Sequence, residues 1–292
     1  MTNFLKQTKE LCHLYNIKPA RSRGQNFLIE EKIYDKIIEQ ADLKPGDVVL
    51  EVGPGLGFLT AKLAARARRV VAVELDDKLA VVLKTGLAAK NIKNVEVVNV
   101  DVLDIKIQPP LIPPCQEGEI GKIPLTPFIK GGFKIVANLP YNITSIFLRQ
   151  FLSAENKPEF MVLMLQKEVA ERICAKAGEM SLLAVSVQFY AKPEIVAIVP
   201  KENFWPVPEI DSAIIRLEVI NKKSEVNEKD FFRLVKFGFS AKRKMLKNNL
   251  AAGFRMSQEE AENRIKQAGF NQKIRSQELS VADWLKLFSV FN

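Results

Sequence analysis

The residues best suited to chemistry sit at the ends of short apolar runs. Asp47-Val48-Val49-Leu50-Glu51-Val52 reads as a buried strand, and Gly53-Pro54-Gly55-Leu56-Gly57 follows it. Alternate glycines let backbone N–H groups approach a ligand closely. The spacing is G-x-G-x-G, with Phe58 where the dinucleotide fingerprint needs its third glycine, which argues against a nicotinamide or flavin cofactor. Glu74 closes the run Val70-Val71-Ala72-Val73, 21 residues after Gly53. A carboxylate there can accept from both ribose hydroxyls of an adenosine. Asp101 closes the run from Val95 to Val100, within reach of an adenine amino group. These positions, at the carboxyl ends of three consecutive strands, describe a crevice for an adenosine cofactor without a phosphate chain. S-adenosylmethionine meets that description.

Asn138-Leu139-Pro140-Tyr141 closes the next strand. The Asn138 side-chain oxygen and the Leu139 carbonyl can both accept from one exocyclic amine. Pro140 brings no competing N–H and fixes the turn, and Tyr141 offers a π-face to a base. The amine of adenine is a poor nucleophile because its lone pair is delocalised into the ring. Two acceptors on its hydrogens draw the nitrogen toward sp³ character and aim the lone pair at a methyl donor. Such a displacement needs positioning more than a strong base.

Composition narrows the alternatives. The chain has 292 residues, 47% of them hydrophobic, with a net charge of +9 and a single histidine, His13. One histidine rules out a site with two or three histidine ligands, and no metal is expected. The three cysteines, Cys12, Cys115 and Cys174, are too far apart for a C-x-x-C motif and fit a reducing cytosol, where they read as core or loop residues. No signal peptide and no apolar run of about 18 residues appears, so a soluble cytoplasmic protein is expected. The positive charge points to a polyanionic partner, and it is concentrated: residues 222–256 hold ten basic and three acidic residues.

Stepping along the chain, strands alternate with helices at the spacing of βαβ units, which implies an α/β fold with a parallel sheet. Strands are expected at 47–52, 70–74, 95–100, 133–137, 160–165, 194–199 and 212–219. Helices are expected at 2–15, 30–41, 58–69, 77–87, 145–152, 167–175 and 181–191. Six prolines and four glycines in 108–132 read as a long surface insertion. After Val219 only helical patterns remain, at 228–239, 241–252, a capped helix from Ser257 to about Gly269, and one from Ser280. The expected domains are 1–220, α/β with an N-terminal helical extension, and 221–292, small, all-helical and basic.

Together the motifs resemble those of the small-subunit ribosomal RNA adenine dimethyltransferase family. Gly24-Gln-Asn-Phe-Leu28, Glu51-Val-Gly-Pro-Gly-Leu-Gly57 and Asn138-Leu-Pro-Tyr141 carry the likeness. So do Gln166-Lys-Glu-Val-Ala170, Phe204-Trp-Pro-Val-Pro208 and Asp211-Ser-Ala213, all in the family's order from about Tyr15 to Leu287. The resemblance implies a Rossmann-like S-adenosylmethionine-dependent methyltransferase domain with a helical C-terminal domain. It implies dimethylation of two adjacent adenines near the 3′ end of small-subunit rRNA during subunit biogenesis; separately, a monomer is expected. By matching position, Asn26, Leu28, Gly53, Gly55, Glu74, Asp101 and Asn138 would hold the cofactor. Asn138, Leu139, Pro140 and Tyr141 would hold the target base, flipped out of its stack, with Phe204 on its other side. Arg243, Lys244 and Lys247, in Arg243-Lys-x-Leu-x-Asn-Asn-Leu250, would lie against the RNA.

Two features depart from the family pattern. Val100 stands where the family usually has Gly, and the 108–132 stretch is longer than usual. The rival readings are an erythromycin-resistance-type methyltransferase of large-subunit (23S) rRNA, a non-catalytic nucleic-acid-binding relative, and a nicotinamide dehydrogenase. Asp211, where resistance-type enzymes tend to carry Asn, favours the small-subunit enzyme. Intact Glu74, Asp101 and N-L-P-Y argue against the binding factor.

Overall fold

The computed structural model describes residues 4–19, 25–105, 132–220, 226–241 and 243–291. Most of the 108–132 insertion, with Cys115, lies outside them. Two compact units emerge, one of residues 1–170 and 194–219 and the other of residues 171–193 and 220–292.

The first unit opens with α1 (Phe4–Leu14), the two-residue strand β1 (Phe27–Leu28) and α2 (Glu31–Ala41). The alternation then follows: β2 (Val48–Val52), α3 (Phe58–Ala64), β3 (Arg69–Val73), α4 (Asp77–Ala89) and β4 (Val95–Val98). After the insertion come β5 (Lys134–Asn138), α5 (Thr144–Leu152), β6 (Phe160–Gln166) and α6 (Lys167–Ile173). The chain then forms α7 (Leu182–Gln188), which belongs to the second unit, before β7 (Ala191–Val199), β8 (Phe204–Trp205) and β9 (Ser212–Val219).

Seven strands form one sheet in the order β4-β3-β2-β5-β6-β9-β7. The pairings β4·β3, β3·β2, β2·β5 and β5·β6 are parallel, and β6·β9 is antiparallel. All five β2 residues are buried, as expected for a central parallel strand covered on both faces. One core cluster joins β2 through Val49, β6 through Val162 and Met164, and helices α2 and α3 through Ile37 and Leu63. β1 and β8, which have no periodicity to betray them, form a separate antiparallel ribbon pairing Phe27 with Trp205 and Leu28 with Phe204.

The β2–α3 turn depends on glycine. Gly57, at φ +80°, is the N-terminal cap of α3, and a Cβ there would lie 2.5 Å from Leu83 Cδ1. The helix it opens is shorter than expected and ends at Ala64, before the Arg66–Arg69 stretch returns to β3.

In the second unit, α8 (Glu228–Gly238), α9 (Leu246–Phe254), α10 (Gln258–Gln267) and α11 (Val281–Phe291) enclose a core around Trp284, Phe231 and Leu250. Ser257 caps α10 as its S-x-x-E pattern suggests, accepting from the Glu260 N–H. Residues 171–193 precede the boundary expected at 220, yet they group with these helices. The Phe189 ring stacks on Phe231 at 4.7 Å, and the Gly178 and Met180 N–H groups both donate to the Gln277 carbonyl. Apolar and backbone partners, rather than sequence proximity, decide where that segment packs.

Gly57→Ala is expected to destabilise the sheet unit by about 1–3 kcal/mol, from left-handed strain plus the clash with Leu83. A melting curve checks this, at about 2–4 °C per kcal/mol.

Candidate active site

In a parallel sheet the strand order reverses where one connection runs left and the next runs right, and a crevice opens beyond the carboxyl ends there. Here the reversal falls at β2, which lies between β3 and β5. The crevice at this point is lined by Asn26, Leu28, Gly53, Gly55, Glu74, Asp101, Asn138, Leu139, Pro140 and Tyr141. Ten of the residues picked out from the sequence thus come together, from segments up to 115 residues apart.

Glu74 sits directly beyond β3, and its N–H extends the β3·β4 ladder to the Val98 carbonyl. Its carboxylate accepts from the Gly55 N–H at 3.0 Å and the Asp76 N–H at 2.9 Å. Burial pushes its pKa upward, and these two N–H groups pull the other way. Asp101 opens a single 3₁₀ turn (Val102–Asp104), its Oδ1 accepting from the Leu103 N–H at 2.8 Å. Val100, next to it, also lines the crevice. On the opposite wall the Tyr34 hydroxyl donates to the Leu28 carbonyl at 2.8 Å and so fixes β1.

The glycine turn and the N-L-P-Y turn abut. Gly53, at φ +65°, is so close to the second turn that a Cβ would stand 3.6 Å from the Asn138 carbonyl oxygen and 3.7 Å from Pro140 Cδ. The Leu139 N–H is held by the Met164 carbonyl, and the Asn138 side chain makes no hydrogen bond to a described residue.

Sequence reasoning treated Glu51 only as a motif letter, yet it lines the crevice and is 1% exposed. Neither of its carboxyl oxygens nor the Thr60 hydroxyl closes a hydrogen bond. Burial pushes Glu51 up to about 8; the nearby Thr60 hydroxyl opposes the rise and the Glu74 carboxylate adds to it. A lone acid inside the apolar run Val48-Val49-Leu50-Glu51-Val52 is the signal a sequence reading could have used, since an acid buried without a partner is costly.

Two expectations meet a different arrangement. Phe204 does not line the crevice. Its ring is 1% exposed and belongs to the core cluster with Leu28, Val199 and Ile214, because its strand position turns it inward. Arg243 and Lys244 are exposed, but they stand in the turn before α9 and not on a helix starting at Ala241. Lys247, in the first turn of α9, is four-fifths buried, and its Nζ is 2.7 Å from Glu262 Oε2. Lys266 holds the other oxygen of Glu262 at 2.8 Å. Asn249 is buried, with Nδ2 donating to the Gly238 and Ala241 carbonyls. Much of that motif therefore builds the helical core.

Residues 17–292 match the family model described as ribosomal RNA adenine dimethylase. The chain belongs to that family. It is 42% identical to the ribosomal RNA small subunit methyltransferase A of Dehalococcoides mccartyi, over 99% of this chain and 94% of the relative. The protein of the same name from Clostridioides difficile is 39% identical over 98% and 95% of the two chains. Among solved structures, a dimethyladenosine transferase from Plasmodium falciparum superposes with a TM-score of 0.72 at 26% identity, covering 89% of this chain and 95% of that one. The 23S rRNA methyltransferase ErmE gives 0.70 at 30% identity, over 91% and 99%. The α/β methyltransferase fold with a helical C-terminal region agrees with what the motifs implied, and the adenine dimethylase uses S-adenosylmethionine. The crevice fits this cofactor: Glu74 offers acceptors for a diol, Leu75 is an exposed apolar side chain beside it, and the unsatisfied Glu51 carboxyl suits an ammonium group.

The sign of the Glu51 effect is checkable. A folded-state pKa near 8, above the ordinary 4.5, means the folded chain keeps a proton that the unfolded chain loses. Stability should therefore fall as pH rises from about 4.5 to about 8. Glu51→Gln should flatten that decline and raise the melting temperature near pH 7.5, while weakening cofactor binding measured by calorimetry.

Proposed function

We infer that this protein transfers methyl groups from S-adenosylmethionine to the N6 amines of two adjacent adenines near the 3′ end of small-subunit ribosomal RNA. The observation that carries this reading is the close approach of Gly53 to the Asn138–Pro140 turn, which sets an amine-accepting site against the cofactor crevice. The sequence relatives favour the small subunit, since those at 42% and 39% identity carry that name, whereas ErmE stands at 30%.

S-adenosylmethionine, when bound, supplies a methyl group already activated on a sulfonium. Glu74, just beyond β3, and Asp101, at the 3₁₀ turn after β4, would hold its adenosine. Asn26 and Leu28 would close one wall, and Gly53 and Gly55 would admit it by lacking a side chain. The Asn138 side-chain oxygen and the Leu139 carbonyl accept the two hydrogens of the target amine. That pair holds the nitrogen in position and favours the geometry in which its lone pair is free to attack. Pro140 keeps the turn rigid, and Tyr141 stacks on the base. Phe204 contributes from beneath, holding Leu28 across the β1·β8 ribbon. Arg243 and Lys244 contact RNA phosphates, and Lys247 supports them through its ion pair with Glu262.

Three measurements test this. Labelled S-adenosylmethionine should methylate small subunits that lack the modification; transfer confined to large-subunit RNA would move the protein to the resistance-type class. Asn138→Ala should slow turnover by at least about 100-fold with an unchanged melting curve. Arg243→Ala with Lys244→Ala should reduce the slope of log affinity against log salt by about 1.4–1.8, whereas Lys247→Ala should chiefly lower stability.

A further inference from the structure

β9 begins at the active-site end of the sheet, next to the end of β6, where Ser212 pairs with Gln166. Ser212 is completely buried, and its Oγ lies 3.0 Å from the Tyr141 hydroxyl. Tyr141 is partly buried and lines the crevice. The contact thus joins residues 71 apart in sequence, one on a rigid strand and one on the turn that accepts the target amine.

The Ser212 end of this contact is anchored. The neighbouring Asp211 carbonyl accepts from the Lys167 N–H at 3.0 Å, and Asp211 Oδ1 accepts from the Lys201 N–H at 3.1 Å. β9 is locked to β6 by seven paired residues, from Phe160·Glu218 to Gln166·Ser212. The Tyr141 end is less constrained, since the residue lies in a turn three positions after Asn138, the last residue of β5. A tyrosine ring is set by two torsions, a staggered χ1 and a broad χ2, so several orientations are open to it unless its far end is held. A hydrogen bond to a buried partner holds it, because breaking that bond leaves a buried hydroxyl unsatisfied.

We propose that Ser212 is a positioning residue, which fixes the Tyr141 ring through its hydroxyl so that the ring meets the target base face-on. The proposal rests on the adenine methyltransferase reading and adds a component to it. Asn138 and Leu139 set the amine within the plane of the base, and the Ser212–Tyr141 pair sets the plane itself. The two constraints together define where the nitrogen lone pair points.

The test is a double-mutant cycle on the full chain with Ser212→Ala, Tyr141→Phe and both changes. It measures kcat and the KM for each substrate with small-subunit RNA and S-adenosylmethionine. Each single change should lower kcat about three- to tenfold while leaving the KM for the cofactor unchanged. The double variant should lose no more than the worse single, because both remove one bond. Losses that multiply, or unchanged kcat in both singles, overturn the proposal. Should Ser212→Ala melt well below the wild type, Tyr141→Phe carries the test alone, since it leaves β9 untouched. Wild-type transfer with unaffected singles defeats this proposal only; absence of wild-type transfer to small-subunit RNA defeats the functional reading and the proposal with it.

Discussion

The order β3-β2-β5 is the constraint on which the site depends. Parallel strands present all their carboxyl ends on one edge, and reversal of the order at β2 keeps helices from covering that edge. Turns that follow β2, β3 and β5 must then meet at one place. This puts Gly53, Glu74 and Asn138 around one crevice, although they come from three separate βα connections. Backbone ladders carry the precision further, since the Gly53 N–H still bonds to the Val73 carbonyl and the Glu74 N–H to the Val98 carbonyl. The acidic side chains are thereby held by sheet geometry and not by flexible loops.

The sheet was legible because its signals are long-range in period and local in chemistry. Apolar runs of β2, β3, β5 and β6 announce buried strands, and glycine or asparagine immediately after them announces the crevice. The same rules could not find β1 and β8. Two-residue strands have no period, and their stability comes from pairing partners 176 residues apart, as for Leu28 with Phe204. Nor could they place Phe204, because an aromatic beside a proline-rich turn looks exposed until a strand turns it inward. Residues 171–193 have the alternation of the α/β half, and the stacking of Phe189 on Phe231 and the bonds from Gly178 and Met180 to the Gln277 carbonyl reveal their helical company.

Charge gave the opposite difficulty. A basic run is visible in sequence, but not which cations are already neutralised. Glu262 draws in both Lys247 and Lys266, and those lysines hold its carboxyl below the usual range. Asn249, in the same motif, is a buried bracket that donates to the Gly238 and Ala241 carbonyls. Beside these, Arg243 and Lys244 remain exposed on a turn that the helical core makes firm. Sequence shows how much positive charge a segment carries, and packing decides how much of it is available to phosphates.

The β1·β8 ribbon has a consequence for how such a protein tolerates insertion and deletion. Side chains alternate across a strand, so a shift of one residue exchanges inside for outside. Losing or gaining one residue just before Phe27, or just before Phe204, would slip the pairing of Phe27 with Trp205. Leu28 would leave the crevice wall and Phe204 would leave the core. The tight spacing in Gly24-Gln-Asn-Phe-Leu28 and in Phe204-Trp-Pro-Val-Pro208 is therefore a matter of register as much as of chemistry. Length variation in this chain has to be accommodated elsewhere, in connections that no strand pairing counts.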